Sequence, residues 1–217
     1  MLSVRCVVCV VCVVQGGAAW AADAVERIDN GTVTVRIDRD KGGAVVWLSW
    51  RGHPGNAVNV HDPGRLIQQS YYAGRAVDRR PEGQHVAWSP WPWNPIQAGS
   101  VASWARMTRL ERAAGGGIVG ETTPKLWDMP DEDAEAVIRQ VIRLEEGFDN
   151  VVALEGAIEC LRHDDDRWGP PVARHQELPA CYLTRSFATV KTYCGEGRWQ
   201  EEQVPAGPPW TRVKQSR

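Results

Sequence analysis

The stretch Thr32-Val33-Thr34-Val35-Arg36-Ile37-Asp38, the turn-like Asp40-Lys41-Gly42-Gly43 and the run Ala44-Val45-Val46-Trp47-Leu48-Ser49-Trp50 together decide the fold class. Strict alternation puts Val33, Val35 and Ile37 on one side of an extended chain and threonine or arginine on the other, the period of a half-buried strand. The glycine pair marks a reversal, and the following run is β-branched and aromatic. A two-stranded start with one face toward a core is therefore expected.

Outward from this pair, the segments 98–110, 134–144, 151–161, 180–183 and 187–193 read as further strands. Val137 to Leu144 also carries apolar pairs four residues apart, a helical spacing, but its β-branched content favours strand. Residues 51–99 are rich in Pro, Gly, Asn and Trp, which disfavour both helix and strand, and read as a long ordered loop region. The expected fold is mostly β, an antiparallel β-sandwich with long ordered loops, forming a single domain over residues 25–217. A long loop held by a sheet is a common place for function.

The 217 residues carry 25 basic against 27 acidic side chains, a net charge of −2. This balance gives no field for holding a polyanion, so nucleic acid is not an expected partner. Eleven tryptophans stand against two phenylalanines. Indoles serve core packing and sugar faces alike. Neither a glycine-rich phosphate loop nor a dinucleotide fingerprint is present, and no nucleophile elbow or zinc-protease helix motif occurs. No cofactor and no metal is expected.

Residues 1–24 combine Arg5, an apolar run from Cys6 to Val14 and small residues offering Ala-x-Ala sites at Ala19-Trp20-Ala21 and Ala22-Asp23-Ala24. This is the pattern of a secretory signal peptide. The run falls well short of the roughly 20 residues a spanning helix needs, so no transmembrane segment is expected. Cys6, Cys9 and Cys12 have metal-like spacing but lie in the segment to be removed. The expected location is secreted or periplasmic, where Cys160, Cys181 and Cys194 allow one disulfide and one free thiol, with no pair selected.

Three clusters carry chemistry. In the first, His61-Asp62-Pro63-Gly64-Arg65 runs on to Gln68-Gln69-Ser70-Tyr71-Tyr72. His61, Arg65 and Gln68 suit hydroxyl or carboxylate binding, while Asp62 and Tyr72 are candidate catalytic groups. A plain alternative pairs Asp62 with Arg65 across the turn. The second is Trp88-Ser89-Pro90-Trp91-Pro92-Trp93-Asn94-Pro95-Ile96-Gln97, where Trp91 and Trp93 offer stacking faces and Asn94 and Gln97 hydrogen bonds, unless the rings only plug the fold. The third is His175-Gln176-Glu177-Leu178-Pro179-Ala180-Cys181-Tyr182, where an extended first part aims His175 and Glu177 the same way as a catalytic acid–base pair. His163, beside Asp164-Asp165-Asp166, reads as a solvated turn.

The opening Lys41-Gly42-Gly43-Ala44-Val45-Val46-Trp47-Leu48 resembles the first hairpin of galactose-mutarotase-like supersandwich proteins, and the three clusters resemble segments of uncharacterised secreted bacterial proteins. The resemblance spans residues 30–210. It implies a supersandwich-like fold in a group that includes sugar epimerases, polysaccharide lyases and parts of glycoside hydrolases. Mutarotases use a His and a Glu as acid and base, roles for which His175 and Glu177 are available here. The larger enzymes of the group are longer, which implies a truncated member, C-terminally incomplete; Pro205 to Trp210 and the basic Arg212, Lys214 and Arg217 follow with no final strand to close a sheet.

The expected function is that of a secreted carbohydrate-active protein, a polysaccharide hydrolase or lyase, with an oligosaccharide or polysaccharide as partner. Hydrolysis would draw on Glu177 and Asp62, and elimination on His175 or Tyr72 as base with Arg65 clamping a uronate. The alternatives are a noncatalytic carbohydrate-binding module and a structural cell-envelope protein.

Overall fold

A computed structural model describes residues 24–113 and 115–204. The expected signal peptide, except Ala24, the cysteines Cys6, Cys9 and Cys12, and the tail from Pro205 onward lie outside the described residues. The chain is mostly β, with several antiparallel sheets. In order the strands are β1 (Val25–Asp29), β2 (Val33–Asp38), β3 (Ala44–Trp50), β4 (Ile67–Ser70) and β5 (Ala73–Val77). There follow β6 (Trp91–Trp93), β7 (Pro95–Ile96), β8 (Met107–Arg112), β9 (Ile118–Thr122) and β10 (Lys125–Leu126). The last are β11 (Ala136–Leu144), β12 (Val152–Cys160), β13 (Glu177–Cys181), β14 (Thr189–Tyr193) and β15 (Trp199–Gln203). Helix among the described residues is confined to single 3-10 turns.

The largest sheet runs β1-β2-β3-β4-β7-β10, with β13 also paired to β4; a second runs β12-β11-β9-β8. The hairpins β5-β6 and β14-β15 complete the set. Alternation works as the residues dictate: Val33, Val35 and Ile37 are 5%, 1% and 0% exposed. They share one apolar core with Ala44, Val45 and Leu66 and, from the second sheet, with Ile118 and Ile142. Each such side chain contributes roughly 1.5–3 kcal/mol by leaving water. The segment around Ile138 is strand, because its buried set, Ala136, Ile138, Gln140 and Ile142, recurs every second residue. On the opposite face Arg139 bonds Glu121 and Glu159 at 3.0 and 2.7 Å, a solvated ion-pair row.

Three expectations are corrected. Residues 51–99 are not all loop, for β4 to β7 lie within them. These strands are short and polar or proline-bearing, so they lack the apolar alternation that announces a strand. The segment 98–110 becomes strand only at Met107, because Gly99 and Ser100 turn back to bond Ser103 and Trp104. The start is three-stranded, because β1 pairs with β2 from Val25↔Asp38 to Asp29↔Thr34 ahead of the expected pair.

The glycine pair that ends the turn between β2 and β3 is buried. Gly42 and Gly43 adopt φ of 59° and 71°. A Cβ on Gly42 would stand 2.0 Å from the Gln97 carbonyl oxygen, so only glycine fits. Into this turn converge three polar side chains. Gln97 Nε2 donates to the Gly42 carbonyl (2.8 Å) and to Gln140 Oε1 (2.9 Å), Thr122 Oγ1 to the Gly42 carbonyl (2.8 Å), and Gln140 Nε2 to the Gly43 carbonyl. Buried main-chain carbonyls must find donors, and these side chains supply them between the two main sheets.

Candidate functional site

Strand β13 reaches its partner β4 with one extra residue. Glu177 stands opposite Ser70 and Ala180 opposite Gln68, so three steps on β13 match two on β4. Such a bulge shifts side-chain parity. Glu177 and Tyr182, an odd number apart, consequently face the same way, and Tyr182 Oη donates to Glu177 Oε1 at 3.1 Å. On β4 the same face carries Gln68 and Ser70, and Tyr72 follows two residues on. Arg65 lays its guanidinium over the Tyr182 ring, 5.3 Å from the centroid.

Burial pushes the Glu177 carboxyl up, against the pull of the Tyr182 hydrogen bond and the Arg65 charge. Burial and then the Glu177 charge push the Tyr72 phenol up to about 12. The same two causes raise Tyr182. At neutral pH both phenols therefore keep their protons and act as donors, and Glu177 holds its proton more tightly than an ordinary glutamate.

Aromatic rings flank this cluster. Trp91 meets Tyr72 edge to face at 6.3 Å, Trp88 meets Trp91 at 5.0 Å, and Trp88 meets Trp127 at 5.4 Å. Trp88, Trp91 and Tyr72 are half-buried, leaving part of each ring to solvent. The Trp91 indole donates to Asn94 Oδ1 at 3.1 Å, and Asn94 Nδ2 donates to Ser70 Oγ (3.2 Å) and to the Tyr71 carbonyl (2.9 Å).

The expected site residues divide into three groups. Arg65, Tyr72 and Glu177 come together, with Trp91 at their side. Asp62 lies next to them through its ion pair with Arg65, 3.8 Å across the Pro63-Gly64 turn, and also accepts from the Gly64 amide at 2.9 Å. Gln68, Trp93, Asn94 and Gln97 are 1%, 1%, 0% and 0% exposed, and their polar or apolar groups are spent inside the fold. Gln68, for example, accepts from the Ala98 amide and donates to the Pro63 and Arg65 carbonyls, which supports the loop that carries Arg65. Trp93 sits beneath Arg162 and beside Tyr71. His61 is exposed on a turn, and His175 is exposed in irregular chain before β13 begins.

Tyr182 is the member that alternation alone misses, because its parity with Glu177 depends on the bulge. Pro179, which cannot donate to a ladder, was the one local signal. Cys160 and Cys181 are exposed thiols. Among the described residues no three His, Cys, Asp or Glu side chains gather as a metal site, and no helix is long and apolar enough to cross a membrane. No known protein family, curated protein or solved structure matches the chain.

Proposed function

We propose that this is a secreted carbohydrate-active protein, a supersandwich-like antiparallel β-sandwich that acts on an oligosaccharide or polysaccharide beside β4 and β13. The observation that carries the reading is Glu177, its proton affinity raised by burial, bonded by one phenol, close to a second and flanked by half-exposed indoles. Trp91 and Trp88 would stack on the apolar face of a sugar ring. Glu177 would exchange the proton, Tyr182 would hold its carboxylate through the hydrogen bond it already donates, and Tyr72, neutral, would donate to a glycan oxygen. With a phenol so hard to ionise, Tyr72 is suited to donating a hydrogen bond and not to serving as the base. Arg65 would face the carboxylate of a uronate.

A glycan panel followed simultaneously for reducing ends and for the absorbance of unsaturated uronates tests the reading. Both signals rising together indicate elimination, and reducing ends alone indicate hydrolysis. In either case Glu177→Gln should lower the rate roughly 10²–10⁴-fold. Export is tested by sequencing the N-terminus of protein recovered outside the cytoplasm, where cleavage near residues 21–24 is expected.

A second reading, a noncatalytic binding module, is favoured by the exposed, irregular setting of His175, which gives Glu177 no fixed imidazole partner on its strand. It expects retention on insoluble glycans without either signal, weakened by Trp91→Ala. Retention and turnover both absent across the panel would sink the carbohydrate assignment.

A further inference from the structure

Residues 162–176 form a strap of irregular chain that leads into β13. It meets the main chain of residues 72–75 largely through single polar groups. The Arg75 amide donates to the Trp168 carbonyl at 2.8 Å, and Arg75 Nε to the Arg167 carbonyl at 2.9 Å. Arg174 Nε and Nη2 donate to the Gly74 carbonyl at 3.1 and 2.7 Å.

Gln176 does more than its neighbours. Its Oε1 accepts from the Tyr72 amide at 2.8 Å, and its Nε2 donates to the Tyr72 carbonyl, also at 2.8 Å. A carboxamide carries a donor and an acceptor in the arrangement of a peptide group, so one side chain here does the work of a paired strand residue. Tyr72 needs such a partner because it lies in the gap between the end of β4 at Ser70 and the start of β5 at Ala73.

We infer that Gln176 is a positioning residue of the proposed site, one that fixes the Tyr72 phenol relative to the Glu177 carboxyl. This deepens the functional reading above and rests on it. Two adjacent links make a brace: Glu177 is paired to Ser70 through the ladder, and Gln176 to Tyr72 through its amide. Residues 176 and 177 are covalently joined, as are 70 and 72 through Tyr71, so the four positions move as a unit. Gln176 itself is exposed and touches no apolar core, so removing it changes geometry more than folding.

The experiment compares Gln176→Ala and Gln176→Met, the second of which keeps length and bulk without donor or acceptor, with Arg174→Ala, which severs the neighbouring strap bonds to Gly74. The readouts are the pH titration of the Glu177 carboxyl by carbon NMR, amide exchange at Tyr72 and the thermal midpoint. Both Gln176 variants should bring the Glu177 titration down toward that of an unstructured glutamate and speed Tyr72 exchange roughly tenfold. Arg174→Ala should move the thermal midpoint and leave the Glu177 titration in place. An unchanged titration in the Gln176 variants, or an equal shift in Arg174→Ala, overturns the inference. All three readouts are taken without glycan, so failure of the carbohydrate reading shows separately, as a wild-type protein inert in the glycan panel.

Discussion

Strand β4 presents different polar chemistry on its two faces. Toward the second sheet, Gln69 presses against β12 at Gly156, where a Cβ would stand 2.4 Å from the Gln69 amide. Nearby the amides of Gln97 and Gln140 are closed on main-chain groups and on each other. On the other face Ser70 and, two residues on, Tyr72 adjoin Glu177, Tyr182 and Arg65, where burial is partial and proton affinities are shifted. The difference lies in where polar groups end. Inside, Gln97 and Gln140 end on the backbone and on each other and fix the fold; on the other face Tyr182 and Glu177 end on one another beside solvent.

The largest test of this contrast is Gly42→Ala. The added methyl would collide with the Gln97 carbonyl in a left-handed backbone, so the protein should lose at least about 4 kcal/mol and fail to fold cooperatively in urea. Gln97→Leu should cost about 3 kcal/mol by the same measurement, since it strands the Gln69 amide and Gln140 Oε1 and leaves the Gly42 carbonyl to Thr122 alone. Gln69→Met should go the other way. Both polar atoms of the Gln69 side chain are buried without a hydrogen-bond partner, so an apolar chain of similar volume should stabilise by about 1 kcal/mol.

The outer face should answer in titration more than in stability. Tyr182→Phe should cost no more than about 1 kcal/mol and, by removing a donor to the carboxylate, should raise the Glu177 titration further. Because Glu177 holds its proton more tightly folded than unfolded, the stability it contributes is fully present below the ordinary glutamate range and is lost as pH rises through the folded value. Glu177→Gln should therefore flatten the decline of the urea midpoint as pH rises above the ordinary glutamate range. An equal decline in both proteins would place Glu177 among solvated surface carboxylates and erase the contrast.

Legibility in the sequence followed the same division. Val33, Val35 and Ile37 announce their strand because the apolar period is local. So do Ala136 to Leu144 and Val152 to Cys160, within the segments expected to be extended. The strands β4, β6 and β7 are made of Ile-Gln-Gln-Ser, Trp-Pro-Trp and Pro-Ile, whose pairing depends on neighbours far along the chain. The clusters around Arg65, Tyr72 and Glu177 were visible as unusual densities of reactive groups. Gln68, Asn94 and Gln97 looked equally suited to a ligand, because an amide that can hold a hydroxyl can hold a backbone group just as well.

By itself the sequence determined a mostly β chain, the β2-β3 hairpin and the segments from which the reactive groups come, since alternation and turn chemistry act between near neighbours. Tertiary structure decided which amides were spent inside and which groups met. Only the bulge in β13 gives Glu177 and Tyr182 the same parity, and only the strap brings Gln176 onto Tyr72. Those contacts join residues brought together by pairing register across the chain, a quantity that no local pattern encodes.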